Sequence, residues 1–127
     1  MTLQELLQRQ DVDVAFICET KLPRNFRWKN PGYRTYNTMG PNPPHGGTAI
    51  IIRSSIQHMV ILVLQLIYLQ AALVKMEIGS QEILLVALYQ SPSKLLDSKD
   101  LDKLIALASN KKFIFGSDLN AKHRLAF

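Results

Sequence analysis

A single cysteine, Cys18, stands in the whole chain. No internal disulfide can form, and a reducing, intracellular setting is the simpler reading. With only three histidines beside that thiol, the Cys/His set that a zinc site needs is missing. Acidic side chains are also scarce, 10 against 15 lysines and arginines, which leaves a net charge of +5. That excess favours polyanionic partners, nucleic acid first among them. No apolar run reaches the roughly 20 residues of a membrane span. The longest, residues 59–74, is interrupted by Gln65 and Gln70 and reads as two consecutive buried strands, so no membrane partner is expected. The first ten residues are too polar for a secretory signal. Gly46-Gly47 is not followed by the Lys-Ser/Thr of a phosphate-binding loop, and no Gly-x-Ser-x-Gly elbow occurs. Repeats and low-complexity segments are absent. What remains is 127 residues, 47% of them hydrophobic. That suffices for one packed domain and not for two.

Thr2-Leu3-Gln4-Glu5 has the spacing of a capping box, and Leu3, Leu6 and Leu7 share one face of the helix it would start. Val12 to Cys18 is apolar and partly β-branched, the pattern of a strand covered on both faces, and it ends at Glu19-Thr20. Lys21, Arg24, Arg27 and Lys29 then surround Phe26 and Trp28. Basic residues interleaved with aromatics suit a phosphate backbone and stacked bases, and equally a solvated loop pinned by Trp28. Gly40 to Gly47 is a loop by its proline and glycine content. Strands are predicted at residues 33–36, 48–53, 59–64, 68–77 and 82–89, with Gly79-Ser80 as a turn. Asp97 or Ser98 caps a second helix whose buried stripe reads Leu101, Leu104, Ile105 and Ala108. Asn110-Lys111-Lys112 closes that helix before the apolar run Phe113-Ile114-Phe115, fit for a buried strand. The order is α/β or α+β, a mixed sheet of about six strands with helices packed on it.

Three apolar runs end in side chains able to do chemistry: Glu19, Tyr89, and the pair Asp118 and Asn120. Residues two apart on extended backbone share a face, so Asp118 and Asn120 can converge on one ligand. If all three ends lie at one sheet edge they form an oxygen-rich cluster suited to Mg²⁺, with Mn²⁺ as the alternative. Each also has a plainer role: a solvated strand end for Glu19, a half-buried aromatic for Tyr89, a turn residue for Asp118 and a cap for Asn120. His45 and His123 are ambiguous by themselves, His58 reads as structural, and Cys18 as an inert core thiol.

Four stretches occur in order along the chain: Ile17-Cys18-Glu19-Thr20-Lys21-Leu22, His45-Gly46-Gly47-Thr48-Ala49-Ile50-Ile51-Ile52-Arg53, Val86-Ala87-Leu88-Tyr89-Gln90-Ser91-Pro92, and Phe115-Gly116-Ser117-Asp118-Leu119-Asn120-Ala121-Lys122-His123. Together they resemble the endonuclease/exonuclease/phosphatase superfamily. The likeness is nearest to the apurinic-type endonuclease domain of insect non-LTR retrotransposons of the Jockey kind, with Tyr68-Leu69-Gln70-Ala71 and Asn120-Ala121-Lys122-His123 especially similar. The resemblance implies a four-layer α/β/β/α sandwich and Mg²⁺-dependent nicking of DNA. It makes Glu19 the metal ligand, sets Tyr89 against the scissile phosphate, gives Asp118 the attacking water and Asn120 the phosphate. Lys21, Arg24, Arg27, Lys29 and His123 are expected to meet DNA, and action on genomic DNA implies the nucleus. Two departures stand out: Gly-Ser-Asp-Leu-Asn replaces the family's usual Gly-Gly-Asp or Gly-Asp-Phe-Asn, and Gln90-Ser91-Pro92 replaces Ala or Cys and then Pro-Pro. By the same resemblance, a first strand with a site Asn would precede Met1, and a further Asp and an Asp-His pair would follow Phe127. The chain thus reads as about half of the sandwich, truncated at both ends, with little activity by itself. An exposed apolar sheet face would then favour self-association. The alternatives are a basic, non-catalytic nucleic-acid-binding remnant, and a phosphatase or phospholipase relative within the superfamily.

Overall fold

The computed structural model describes residues 2–18, 29–38, 47–61, 66, 69–90 and 97–118, without the side chains of residues 108, 117 and 118. Helix α1 (Leu3–Arg9) starts at the expected capping box: the Thr2 hydroxyl accepts from the Glu5 amide at 3.1 Å, and the Glu5 carboxylate accepts from the Thr2 amide at 3.4 Å. Seven strands follow, β1 (Val14–Cys18), β2 (Tyr33–Thr38), β3 (Thr48–Arg53), β4 (His58–Ile61), β5 (Leu69–Ile78), β6 (Gln81–Gln90) and β7 (Lys112–Asp118), with α2 (Ser98–Ala108) between the last two. They form two sheets, the arrangement that the resemblance to a four-layer sandwich implies and that strand patterning alone does not reveal. β1-β3-β2 is antiparallel throughout, whereas β4-β5-β6-β7 is antiparallel except for the parallel β6–β7 pair. A parallel neighbour needs a crossover, and α2 supplies it.

Side-chain alternation explains why two sheets stack. Along β5, Leu69, Ala71 and Leu73 share one face and join Leu84, Val86 and Leu88 of β6 in a core against Leu104 of α2. The other face of the same strands, Ala72, Val74, Met76, Leu85 and Ala87, packs on Ile50 and Ile52 of β3 with Val14, Phe16 and Tyr36 beside them. β5 and β6 are therefore buried on both sides and read as nearly continuous apolar runs. On the far side of the three-stranded sheet, the Tyr33 hydroxyl donates to the carbonyls of Leu7 (3.3 Å) and Val12 (2.7 Å), fixing α1 and the turn after it. The layers run α1, three-stranded sheet, four-stranded sheet, α2, so the chain supplies part of every layer of a four-layer sandwich.

Several burial expectations change. Ile105 is 61% exposed, and Leu101, Leu104 and Leu107 form the packed stripe of α2. The shift follows from the helix meeting the sheet through an i, i+3, i+6 row, one residue-width away from Ile105. Leu6 is exposed while Leu7 is buried. Among the described residues β4 is an outer strand with Met59 and Val60 exposed, so of the two buried strands expected within residues 59–74 the first is exposed. Among the described residues β7 is likewise an outer strand, paired with β6 alone, and Phe113, Ile114 and Phe115 are exposed on it. An apolar run signals a strand but cannot say whether a neighbour covers it. No helix of the described residues is long and apolar enough to cross a membrane.

One contact fixes how closely the sheets approach. A Cβ placed on Gly116 of β7 would lie 2.6 Å from both Cβ and Cγ of Phe16 on β1. Glycine is required there because the aromatic ring occupies the space a side chain would need, as glycine in a strand often signals. Gly116→Ala is expected to destabilise the fold by about 1–3 kcal/mol, measured by urea denaturation. The added cost of Gly116→Ala should be smaller in a Phe16→Ala background, which lacks Cγ and the ring, than in the parent. An alanine variant as stable as the parent would contradict the close approach.

Candidate active site

Strand register and one cross-sheet hydrogen bond bring the ends of β1, β6 and β7 together. In the four-stranded sheet, Gln70, Tyr89 and Asp118 are direct neighbours across β5, β6 and β7. In the three-stranded sheet, Cys18, Thr48 and Thr38 form the matching row across β1, β3 and β2. By alternation from Phe16, Tyr36, Ile50, Ala72 and Ala87, the side chains of Cys18, Thr38, Thr48, Gln70 and Tyr89 stand on the inter-sheet side.

Two hydrogen bonds join the rows across the sheets. The Cys18 thiol donates to the Leu88 carbonyl at 3.2 Å, and the Gly47 amide donates to Oε1 of Gln70 at 2.6 Å. The end of β1, from which the chain continues to Glu19, therefore lies against the end of β6, and β6 holds Asp118 of β7 beside Tyr89. Within the upper row, the Thr38 and Thr48 hydroxyls are 2.7 Å apart, and the Thr48 amide donates to Oγ1 of Thr38 at 3.3 Å. The inter-sheet core, apolar for most of its length, ends here in a polar layer. A buried hydroxyl without such a partner would be costly, and these two satisfy each other.

Of the residues expected at the site, Tyr89 is 4% exposed, more deeply packed than the half-buried aromatic expected. Asp118 is the last residue of β7, placed by its backbone. Lys29 is exposed on the segment leading to β2. Glu19, Lys21, Arg24, Arg27, Asn120 and His123 lie outside the described residues. Among the described residues no group of three or more His, Cys, Asp or Glu could hold a metal. His58 has the structural role expected: its Nε2 is 2.8 Å from the Tyr36 hydroxyl and its Nδ1 2.6 Å from the Ile56 carbonyl oxygen. Arg53 binds Asp11 (2.7 Å) and Asp13 (3.0 Å) at the opposite end of β3, and the hydrogen bond with Asp13 does most to raise its pKa above the ordinary value. An open groove along Tyr33, Arg34, Thr35, Tyr36 and Ser54 is also toward that opposite end.

Three contributors did not stand out in the sequence: Gln70, the Thr38/Thr48 pair and Asp100. The buried Asp100 carboxylate, in the first turn of α2, accepts from the Leu69 amide at 3.0 Å and so fixes the start of β5 below the site. For Gln70 a signal existed, since it is the one polar residue on the inward side of β5 before Lys75 breaks the outward alternation.

The four layers, with the ends of β1, β6 and β7 meeting between the two sheets, are those of an α/β/β/α sandwich. The chain belongs to the Endonuclease/Exonuclease/phosphatase family, which matches residues 2–126, and whose members are generally dependent on a divalent metal. Among curated proteins it is 31% identical over 122 residues to the RNA-directed DNA polymerase from mobile element jockey of Drosophila funebris, covering 95% of this chain and 13% of that protein. It is 29% identical over 117 residues to a probable RNA-directed DNA polymerase from transposon BS of Drosophila melanogaster, covering 90% and 13%. Among solved structures, the endonuclease domain of TRAS1, a telomere-specific non-LTR retrotransposon, superposes with a TM-score of 0.71 at 23% identity, over 94% of this chain and 52% of that one. Truncated Caenorhabditis elegans TDP2 gives a TM-score of 0.56 at 16% identity, over 94% and 54%. The chain thus spans about half of these solved relatives and about an eighth of the curated ones. The fold and family read from the four stretches are those found.

Burial makes Tyr89 a structural residue as well as a candidate for chemistry. Tyr89→Ala should cost about 3–5 kcal/mol, and Tyr89→Phe about 1 kcal/mol, compared by urea denaturation. Equal losses in the two variants would show that the ring contributes nothing to packing.

Proposed function

We propose that this chain is an endonuclease-type phosphodiesterase domain of a non-LTR retrotransposon, nicking DNA with the help of Mg²⁺. The observation that carries the reading is the convergence of the ends of β1, β6 and β7, through the Cys18–Leu88 bond and the Tyr89–Asp118 register. Three strand ends that would otherwise be independent surface features become one place.

The donor chemistry fits a hard cation. The candidate donors, on these strand ends or within two residues of them in the sequence, are carboxylate, carboxamide and phenol oxygens from Glu19, Asp118, Asn120 and Tyr89, and the Cys18 thiol donates to the Leu88 carbonyl. Glu19 would hold the metal. When bound, Mg²⁺ polarises a phosphoryl oxygen and favours formation of hydroxide from water. Asp118 would orient the attacking water and accept its proton, and Asn120 would donate a hydrogen bond to the phosphate. Tyr89, rigidly packed, would place its hydroxyl against the charge that develops on the phosphoryl oxygens. Fixed donors of this kind need no reorganisation as the charge forms. Lys21, Arg24, Arg27, Lys29 and His123 would neutralise the flanking backbone, making binding salt-dependent.

The test is nicking of supercoiled plasmid in Mg²⁺. A chain spanning half of its solved relatives is expected to nick slowly, so the parent is compared with Asp118→Asn. The variant should lose about 10²-fold or more of the activity, while chelation by EDTA abolishes it. Nicking that persists unchanged in Asp118→Asn would refute this assignment. Salt-sensitive DNA binding with no nicking in any form of the chain would favour the non-catalytic binding role.

A further inference from the structure

We infer that Gln70 is a positioning residue of this site, acting as a clasp that sets the spacing between the two sheets where they share a substrate. The inference rests on the function proposed above. Its basis is the division of labour between the sheets. Glu19 and the basic segment follow β1 of the three-stranded sheet in the sequence, whereas Tyr89 and Asp118 belong to the four-stranded one. A phosphodiester that meets both groups is held only if the gap between the sheets is fixed at this end.

In the interior of the sandwich, interdigitated apolar side chains fix that gap. At the site end the apolar layer stops, and the residues facing one another are Cys18, Thr48, Thr38, Gln70 and Tyr89. Gln70 reaches from β5 to the backbone of the other sheet, its amide oxygen 2.6 Å from the Gly47 amide nitrogen. Gly47 has φ of 95°, a left-handed conformation that glycine adopts without steric cost. Its amide sits at the entrance to β3, where Thr48 pairs with Cys18, one residue before Glu19. Holding Gly47 therefore holds the part of the upper sheet from which the metal ligand departs. Gln70 is at the same time the direct cross-strand neighbour of Tyr89. One side chain thus links the tyrosine's surroundings to the start of β3, the strand that pairs with β1.

A glutamine suits this task better than its neighbours in chemistry. Leucine fills the volume with no acceptor and leaves the Gly47 amide without its bond. Asparagine keeps the amide but is one methylene too short. Glutamate keeps both reach and acceptor.

The experiment follows the Gly47 amide by hydrogen exchange in the ¹⁵N-labelled chain, together with affinity for a short DNA duplex in Mg²⁺. A urea titration of each variant shows that it is folded. In Gln70→Leu and Gln70→Asn, exchange at Gly47 should quicken about tenfold or more, and duplex affinity should fall severalfold. Gln70→Glu should return the Gly47 amide to the parent's protection. Should Gln70→Leu fail to fold, the milder Gln70→Asn carries the comparison. Unchanged Gly47 exchange overturns the clasp, and quickened exchange with unchanged affinity overturns its positioning role. Both results leave the proposed function standing. A parent chain that shows no salt-sensitive duplex binding refutes that function, and this inference with it.

Discussion

The site end of this molecule depends on how near β7 comes to β1. That distance is set by the absence of a side chain at Gly116, where any Cβ would fall within 2.6 Å of Phe16. With the approach fixed, β7 runs parallel to β6 in a register that sets Asp118 beside Tyr89. The thiol of Cys18 meets the Leu88 carbonyl from the other sheet. A larger residue at position 116 would separate the sheets near the end where β1, β6 and β7 meet. Gly116, two residues ahead of Asp118, is therefore a packing device.

Stability and function pull on the same residues in different ways. The middle of the sandwich is apolar and doubly buried, with Ile50, Ile52, Val74, Leu85 and Ala87 between the sheets. Such a core is stable but offers nothing to bind a phosphate. Toward one end the inward positions turn polar in sequence order along every strand that reaches it: Cys18, Thr38, Thr48, Gln70 and Tyr89. Their hydrogen bonds offset the loss of water, as in the Thr38–Thr48 pair and the Gln70–Gly47 bond. A polar layer of this kind is rigid without being closed, which is the property needed to orient a substrate instead of merely adsorbing it.

Much of this was legible in the sequence, for identifiable reasons. Strands β1, β3, β5 and β6 are apolar enough to be read directly, and the capping box of α1 is a local signal with a local cause. The Asp97 cap of α2 is equally local. Burial on α2 and β7 was less accessible. Ile105 has the same spacing as its buried neighbours, and only the direction from which the sheet meets the helix separates them. Phe113, Ile114 and Phe115 suit a buried strand, yet their exposure depends on which partners β7 has. The division into two sheets is likewise set by contacts distant in sequence. At the site, the reactive ends were visible as interruptions of apolar runs, and the four ordered stretches pointed to the family. Gln70 was visible as a break in a hydrophobic run and within Tyr68-Leu69-Gln70-Ala71, but its contact was not, because it depends on a glycine 23 positions away.

The central claim is that the ends of β1, β6 and β7 make one metal-binding place, and it can be examined without any catalytic assay. Mn²⁺, standing in for Mg²⁺, broadens the amide resonances of nearby residues, so a titration of the ¹⁵N-labelled chain maps where the ion sits. The account predicts selective broadening at Cys18, Tyr89 and Asp118, on three strands far apart in sequence, and its loss in Glu19→Gln. Broadening confined to other surfaces, or unchanged by Glu19→Gln, would contradict it.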